Sequence, residues 1–213
     1  MSMQEHRITV SRAARYFTLG QADREVWFVL HGYGQLAARF LRHFEPLDDG
    51  TRSIVAPEGL SRFYLTESPT ERRVGASWMT KEDRLAEIED YVRYLDAVYD
   101  DVSRTLDPTR INVTLLGFSQ GSATACRWFT MGKARFKRLI VWGGEVPPDV
   151  ELSRSTRLSL VYGSRDEYFT PKVVNATEAR LREHGVACEL VPFDGGHEID
   201  ATVLKRVART TDG

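Results

Sequence analysis

Short apolar runs alternate with amphipathic stretches along most of the chain. The runs are rich in β-branched and aromatic residues, which indicates buried strands, whereas apolar positions spaced three and four residues apart indicate helices. The predicted strands are residues 8–11, 15–19, 26–30, 53–56, 111–116, 139–142, 158–162 and 188–193. The predicted helices are residues 36–44, 80–107, the stretch after 121, 171–184 and 199–209. This order predicts an α/β fold, with a mostly parallel twisted sheet and helices on both faces.

Local signals refine these elements. The first two strands are expected to form a hairpin at the sheet edge, and Thr80 with Asp83 resembles a capping box at the start of the longest helix. Asp107-Pro108 is expected to end that helix. Residues 58–77, rich in charge and turn residues, predict a long loop. Since no repeat or linker interrupts the pattern, residues 1–213 are expected to form one domain.

Composition narrows the classes of partner. A formal net charge of −1 argues against nucleic acid and against an acidic membrane surface, so a small apolar or weakly polar molecule is the expected partner. No apolar run reaches the length of a membrane span and the N-terminus carries no signal core, which makes the cytoplasm the default location. Cys126 and Cys188 fit buried residues in a reducing compartment better than a disulfide.

The segment Gly117-Phe118-Ser119-Gln120-Gly121 follows a predicted strand and precedes a helical pattern. A serine between glycines in that setting is a nucleophile elbow, a sharp turn that exposes the hydroxyl. The turn also places the backbone N–H of Gln120 at a helix N-terminus, which favours developing negative charge. Ser119 is therefore predicted to be a catalytic nucleophile.

A catalytic serine needs a base and a group that orients the base. His197 is the histidine that follows Ser119 and lies in a loop after a predicted strand. Asp166, directly after the strand ending at residue 162, is the favoured acid, with the adjacent Glu167 as its alternative. Asp194 is disfavoured because it shares a loop with His197 and would have to fold back.

The loop Leu30-His31-Gly32-Tyr33-Gly34 follows a predicted buried strand. Its glycines allow the Tyr33 amide to turn towards Ser119 and join the Gln120 amide as an oxyanion hole. His31 is predicted to be structural rather than a base. Among the aromatics expected near the site, Trp78 and Tyr33 are the candidates for substrate contact because both lie in loops at the catalytic face.

Five segments in order along the chain resemble the phospholipase/carboxylesterase family of α/β-hydrolases, which includes the acyl-protein thioesterases. They are Leu30-His31-Gly32-Tyr33-Gly34, Asp107-Pro108-Thr109-Arg110-Ile111, Gly117-Phe118-Ser119-Gln120-Gly121, Gly163-Ser164-Arg165-Asp166 and Gly196-His197. The resemblance implies a hydrolase of carboxylic or thioester bonds that needs no cofactor or metal, with Ser119, Asp166 and His197 as its triad and Tyr33 and Gln120 as oxyanion donors. The family's Trp-Phe pair reads Trp78-Met79 here, and the polar loop 66–73 disfavours a protein-lipid substrate.

These observations predict a serine carboxylesterase that acts as a monomer or homodimer. Residues 143–157 are too few for a helical cap, so the site is expected to be open and to prefer short acyl chains. A thioesterase acting on acyl-protein or acyl-coenzyme substrates is the alternative enzyme. A catalytically silent binding module is the alternative outside enzymes.

Overall fold

A seven-stranded sheet runs through the part of the chain that the computed structural model describes, residues 2–22, 24–66, 70, 72–104, 106 and 111–209. The strands are β1 (Tyr16–Leu19), β2 (Glu25–Leu30), β3 (Ser53–Pro57), β4 (Ser61–Tyr64), β5 (Val74–Ser77), β6 (Asn112–Phe118), β7 (Arg138–Trp142), β8 (Leu158–Gly163) and β9 (Cys188–Phe193). The helices are α1 (Ala37–Phe40), a 3₁₀ helix (Leu41–Leu47), α2 (Arg84–Ser103), α3 (Gln120–Met131), α4 (Pro171–Glu183) and α5 (Ala201–Arg209).

The large sheet has the order β1-β3-β2-β6-β7-β8-β9. Strand β1 pairs with β3 in antiparallel fashion, and the other neighbouring strands are parallel. The predicted α/β fold with a mostly parallel sheet is therefore confirmed. Within the described chain, no helix combines the length and apolar character needed to cross a bilayer.

Alternate residues of β2 point into two separate hydrophobic cores. Val26, Phe28 and Leu30 pack on the face covered by α2 and α3, whereas Trp27 and Val29 pack on the face covered by α1, the 3₁₀ helix and α5. Because successive side chains in a strand point to opposite faces, a continuous apolar run is what a sheet covered on both sides requires. Helices on both faces are thus confirmed as well.

The strand order reverses direction beside β2. From β2 the chain moves to β3 on one side and later returns to β6 on the other. The carboxyl ends of β2 and β6 therefore open a crevice between them, and such a switch point is where open α/β sheets bind ligands. The predicted oxyanion loop follows β2 and the predicted elbow follows β6, so both lie at this crevice.

Residues 8–11 do not form a strand, so the predicted N-terminal hairpin is wrong. Ile8 is 87% exposed and Val10 is 71% exposed. The four-residue alternation resembles an edge strand, but residues 8–11 do not pair with β1, although β1 is an outer strand of the sheet. Local pattern alone does not create a pairing partner.

The predicted loop at residues 58–77 contains the hairpin of β4 and β5. Leu65 extends the hairpin by donating its N–H to the Arg73 carbonyl at 2.7 Å. Arg62-Phe63-Tyr64 has the alternation and aromatic content of a strand, but the charged residues around it obscured that signal. Much of the polar loop 66–73 lies outside the described residues.

Helix α2 begins at Arg84, later than predicted. Asp83 adopts a left-handed backbone with φ 48° and its side chain makes no capping bond. The amide and hydroxyl of Thr80 instead bond the Glu87 carboxylate at 2.5 and 3.2 Å. The predicted capping box of Thr80 with Asp83 is therefore wrong, because Thr80 pairs with Glu87 instead. The predicted helix end at Asp107-Pro108 lies outside the described residues.

Residues 143–157, all of them described, contain no helix and lie against the body of the protein. Val146 and Val150 are buried in the core beneath α3. Asp149 receives two hydrogen bonds from Arg127, at 2.9 and 3.0 Å, and one from Arg84 at 3.0 Å. These contacts hold the middle of the segment against α2 and α3, and the segment provides no helical cap, as expected for a hydrolase fold without one.

Candidate active site

Ser119 occupies a strained turn between β6 and α3, with φ 54° and ψ −120°. Such a backbone is rare for a residue with a side chain and is retained where the surrounding structure enforces it. The glycines on each side permit the turn. A Cβ at Gly117 would lie 2.2 Å from the Gly121 carbonyl oxygen, and one at Gly121 would lie 2.3 Å from the Leu30 carbonyl oxygen. The local geometry is that of a nucleophile elbow.

Asp166 and His197 form a hydrogen-bonded pair at the carboxyl end of the sheet. The Nδ1–H of His197 donates to Asp166 Oδ2 at 2.8 Å, and the carboxylate is 3% exposed. Asp166 Oδ1 accepts the backbone N–H groups of Tyr168 and Phe169, both at 2.8 Å. Three donors thus fix the carboxylate, which in turn fixes the imidazole with its Nε2 pointing away from Asp166.

The competing acids do not reach His197. Glu167 is exposed whereas Asp166 is buried, and among the described residues it is Asp166 that bonds His197. Asp194 is 84% exposed and is paired with Arg165. The geometry therefore places Asp166, the favoured residue, in the position of the orienting acid.

Ser119 and His197 both contact the short segment Trp142-Gly143 at the end of β7. The Ser119 N–H donates to the Trp142 carbonyl at 2.9 Å. Gly143 has φ 54°, and a Cβ there would lie 3.3 Å from both Asp166 Oδ2 and His197 Nδ1. The serine hydroxyl makes no hydrogen bond to the described residues, which is common for catalytic groups before substrate binds.

Two backbone amides beside Ser119 are unpaired. Within the described chain, neither the Tyr33 N–H nor the Gln120 N–H donates a hydrogen bond, while the amides around Tyr33 are all engaged. The Gly32 N–H donates to Gln35 Oε1, in the same loop, at 2.8 Å. A Cβ at Gly32 would lie 3.1 Å from the Ser119 Cβ, so the loop passes directly over the serine. Free donors on both sides of a nucleophile are what an oxyanion requires.

His31 lies beneath this loop with both ring nitrogens bonded. Its Nδ1 pairs with the Gly32 carbonyl at 2.8 Å, and its Nε2 accepts the Gly59 N–H at 2.9 Å. The side chain is fully buried, and this burial lowers the pKa of the imidazole. The neutral ring therefore links the Tyr33 loop to the start of the β4 region, which is a structural task.

Trp78 was predicted to touch substrate, but the structure places it below the site. Its indole is 2% exposed, its N–H donates to the His31 carbonyl at 2.8 Å, and its ring packs 4.9 Å from the His31 ring. An indole in this position supports the oxyanion loop from below. We therefore leave Trp78 out of the proposed substrate contacts.

Phe63 and Tyr168, which the sequence suggests near the site but favours as core residues, lie at its rim. The Phe63 ring from β4 lies 5.1 Å from the Tyr33 ring, which is 59% exposed. On the opposite side, the Tyr168 ring lies 5.0 Å from His197 and is 79% exposed. Phe118 packs against His197 at 4.9 Å. The missed signal was the strand character of the segment that contains Phe63.

A groove of about 890 Å³ lies elsewhere, between α2 and the N-terminal segment. Its lining includes Val10, Tyr94 and Asp101, and it borders Trp78, but it contains none of Ser119, Asp166 and His197. Volume and catalytic geometry thus point to different places. Ser119 instead lies at the open crevice between β2 and β6, and a crevice at such a switch point need not enclose a deep cavity.

The family model for phospholipase/carboxylesterase matches residues 20–212. The chain belongs to the phospholipase/carboxylesterase family. It is thus a hydrolase of the esterase and thioesterase type with the α/β-hydrolase fold, as the resemblance in its motifs implied. A comparison with curated proteins found no match.

Several solved structures are similar to this chain in fold. A carboxylesterase from Mesorhizobium loti has a TM-score of 0.71 at 19% identity, covering 92% of this chain and 94% of its own. Esterase PE8 has a TM-score of 0.70 at 21% identity, with 92% and 97% covered. Acyl-protein thioesterase 2 from Zea mays has a TM-score of 0.69 at 17% identity, with 93% and 97% covered.

Proposed function

We propose that this family member is a serine carboxylesterase that uses Ser119, His197 and Asp166 as its catalytic triad. The observation that carries the proposal is the strained Ser119 at φ 54° beside an Asp166–His197 pair joined at 2.8 Å. Strained backbone is costly, and here it coincides with a base that is already oriented. A small-molecule ester is the proposed substrate.

In the first half-reaction, Ser119 Oγ attacks the acyl carbonyl carbon while its proton moves to Nε2 of His197. Asp166 keeps the proton on Nδ1 and stabilises the imidazolium. The carbonyl electrons move onto the oxygen, where the amides of Tyr33 and Gln120 donate hydrogen bonds to the oxyanion. When the tetrahedral intermediate collapses, the C–O bond to the alcohol breaks and the alcohol leaves with the proton from Nε2.

In the second half-reaction, water attacks the acyl-serine and gives its proton to the same Nε2. The second tetrahedral intermediate uses the same two amides, then releases the carboxylic acid and restores Ser119. No metal or cofactor takes part in this scheme.

Short acyl chains are the proposed substrates because the site is open. Residues 143–157 form no helical cap, and Asp149 holds the middle of this segment against α2 and α3. Each fully buried methylene contributes about 0.8 kcal/mol, and an open groove captures only part of it. Longer chains therefore gain little.

A thioesterase activity is the second candidate, favoured by the exposed apolar rim. Tyr33 and Phe63 form a tilted aromatic pair with ring centroids 5.1 Å apart, and Leu65, 38% exposed, lies beside Gly34. Such a surface suits a longer acyl chain, and one structural neighbour is an acyl-protein thioesterase. The acyl-serine mechanism is the same with a thiol as leaving group.

Hydrolysis of p-nitrophenyl butyrate by the wild type and Ser119→Ala tests the catalytic claim. Loss of the nucleophile is expected to lower kcat by about 10⁴–10⁶-fold. Ser164→Ala is the matched control, since this exposed serine lies in the loop before Asp166 and its loss should change kcat less than threefold. A folded Ser119→Ala variant that keeps more than a tenth of the activity would contradict the assignment.

A series of p-nitrophenyl esters and matching thioesters from two to twelve carbons tests the substrate. We expect kcat/KM to peak at about two to six carbons in the oxygen esters, from the limited burial of methylenes. A kcat/KM that keeps rising beyond ten carbons, or a strong preference for thioesters, would favour the thioesterase instead.

A further inference from the structure

The Gln120 carboxamide bonds across the crevice to the segment Ser77–Met79. Its Nε2 donates to the Met79 carbonyl at 2.8 Å, and its Oε1 accepts the Trp78 N–H at 3.1 Å. The Ser77 hydroxyl lies 3.2 and 3.3 Å from the two amide atoms. The side chain therefore holds the backbone of this segment as a neighbouring strand would, with one donor and one acceptor.

The same segment supports the oxyanion loop from the other side. Ala76, the residue before Ser77, accepts the Gly34 N–H at 2.9 Å and donates to the Gln35 carbonyl at 3.1 Å. The Trp78 indole donates to the His31 carbonyl at 2.8 Å. Both flanks of Tyr33 are thus attached to residues 76–78, while the Tyr33 amide makes no bond of its own to the described chain.

We propose that the Gln120 side chain is a positioning residue that sets the Tyr33 amide relative to the Gln120 amide. One residue would then supply one oxyanion donor from its backbone and place the other donor through its side chain. The proposal rests on the proposed function for the role of these amides. Since a shift of about 1 Å in a catalytic group can cost about 100-fold in rate, a hole built from two separate loops needs such a link.

Two variants separate the effect of the Gln120 side chain from that of its backbone N–H. Both variants keep the backbone N–H and change only the side chain. Gln120→Met has a similar length and lacks the polar atoms, whereas Gln120→Glu keeps an acceptor for Trp78 but loses the donor to Met79. Both are expected to lower kcat by about 10–100-fold with KM changed less than threefold. Their affinity for a trifluoromethyl ketone, which forms a tetrahedral oxyanion on the serine, should fall by a similar factor.

Thr124→Val is the matched control on the same helix. The Thr124 hydroxyl donates to the Gln120 carbonyl at 3.3 Å, and its loss does not touch the Ser77–Met79 segment. We expect kcat and inhibitor affinity to stay within threefold of wild type. A role of Gln120 in stability alone would lower the melting temperature without the paired change in kcat and inhibitor affinity.

Hydrogen exchange at Gly34 provides a readout that does not depend on activity. Its N–H is bonded to Ala76, so we expect exchange about tenfold faster in Gln120→Met than in wild type and Thr124→Val. Unchanged exchange, or unchanged kcat and inhibitor affinity in both Gln120 variants, would overturn the inference. If wild type hydrolyses esters and Ser119→Ala does not, the proposed function stands whatever the Gln120 variants do.

Discussion

Buried polar clusters lie at both ends of the central sheet, and they differ in where their hydrogen bonds point. At the amino end, Arg138 at the start of β7 is 2% exposed and donates to the Val207 carbonyl at 2.7 Å and to the Ser159 hydroxyl at 2.8 Å. At the carboxyl end, Asp166 is 3% exposed and holds His197. Burial alone does not distinguish the two.

The two clusters differ in the surroundings of their unpaired hydrogen-bond donors. In the amino-end cluster, Arg138 caps the last turn of α5 and pairs with the half-exposed Glu189, and its buried Nε has no partner among the described residues. The carboxyl-end cluster leaves the Tyr33 and Gln120 amides unpaired within the described chain, beside a serine in a strained turn. We infer that the first cluster serves stability and the second serves chemistry.

The largest effect is expected from the acid at the carboxyl end. Asp166→Asn keeps the shape but loses the charge that orients His197, so kcat should fall by about 10⁴-fold with the fold intact. Glu167→Gln, one residue further on and exposed, should change kcat less than threefold. Steady-state kinetics on p-nitrophenyl butyrate measures both, and the reverse pattern would move the acid to Glu167.

At the amino end, Arg138→Met should lower stability and leave activity unchanged, the opposite of the result expected for Asp166→Asn. It leaves the buried Val207 carbonyl without its donor, which is expected to lower the free energy of unfolding by about 1–3 kcal/mol. The kcat/KM should stay within twofold of wild type, because no atom of the cluster faces the site. Urea unfolding and ester kinetics on the same preparation check this; a large activity loss at unchanged stability would break the comparison.

Gly143→Ala tests the close approach of β7 to the Asp166–His197 pair. Gly50→Ala is its control, because Gly50 also has a positive φ, 80°, but open space around its Cβ position. Both variants should lose about 1–2 kcal/mol of stability from backbone strain. Only Gly143→Ala, whose Cβ would lie 3.3 Å from His197 Nδ1, should also lower kcat, by about tenfold. Equal kcat in the two variants would show that this contact is not needed.

The smallest effect concerns pH and His31. Burial lowers the pKa of this imidazole in the folded state, so below about pH 6.5 the unfolded chain binds the extra proton more readily. Stability should therefore fall as the pH drops below 6.5, by at most about 1.4 kcal/mol per pH unit for this group. Urea unfolding from pH 7.5 to 5.5 measures the slope, which His31→Gln should reduce and the exposed His184→Gln should not. Equal slopes in all three proteins would contradict this assignment.

The central sheet and the elbow could be predicted because their signals are local. The run Val26–Leu30 is apolar at every position and rich in β-branched and aromatic residues, as expected for a strand covered on both faces. Ser119 sits between glycines at a strand-helix junction, and His197 follows a strand. Each of these features depends on residues close in sequence.

Features that depend on pairing could not be predicted. The Gln120 carboxamide bonds the carbonyl of Met79, 41 residues away in sequence. The ring of Phe63, in the β4–β5 hairpin, packs against the ring of Tyr33 in the loop after β2. Residues 8–11 have a strand pattern but remain unpaired, although the neighbouring β1 is an outer strand of the sheet. Trp78 is expected in a loop at the catalytic face, yet its indole packs in the core against His31 and Tyr91 and donates its N–H to the His31 carbonyl. Sequence periodicity carries no information about such partners.

The most direct test of the central claim is the site of covalent modification by a fluorophosphonate. The wild-type protein is treated with the probe, its intact mass is measured, and the adduct is located by peptide mapping. We predict one adduct per chain, on Ser119 Oγ with fluoride released, and no adduct in Ser119→Ala. An enzyme that hydrolyses esters but remains unlabelled, or carries the adduct on another residue, would contradict the account.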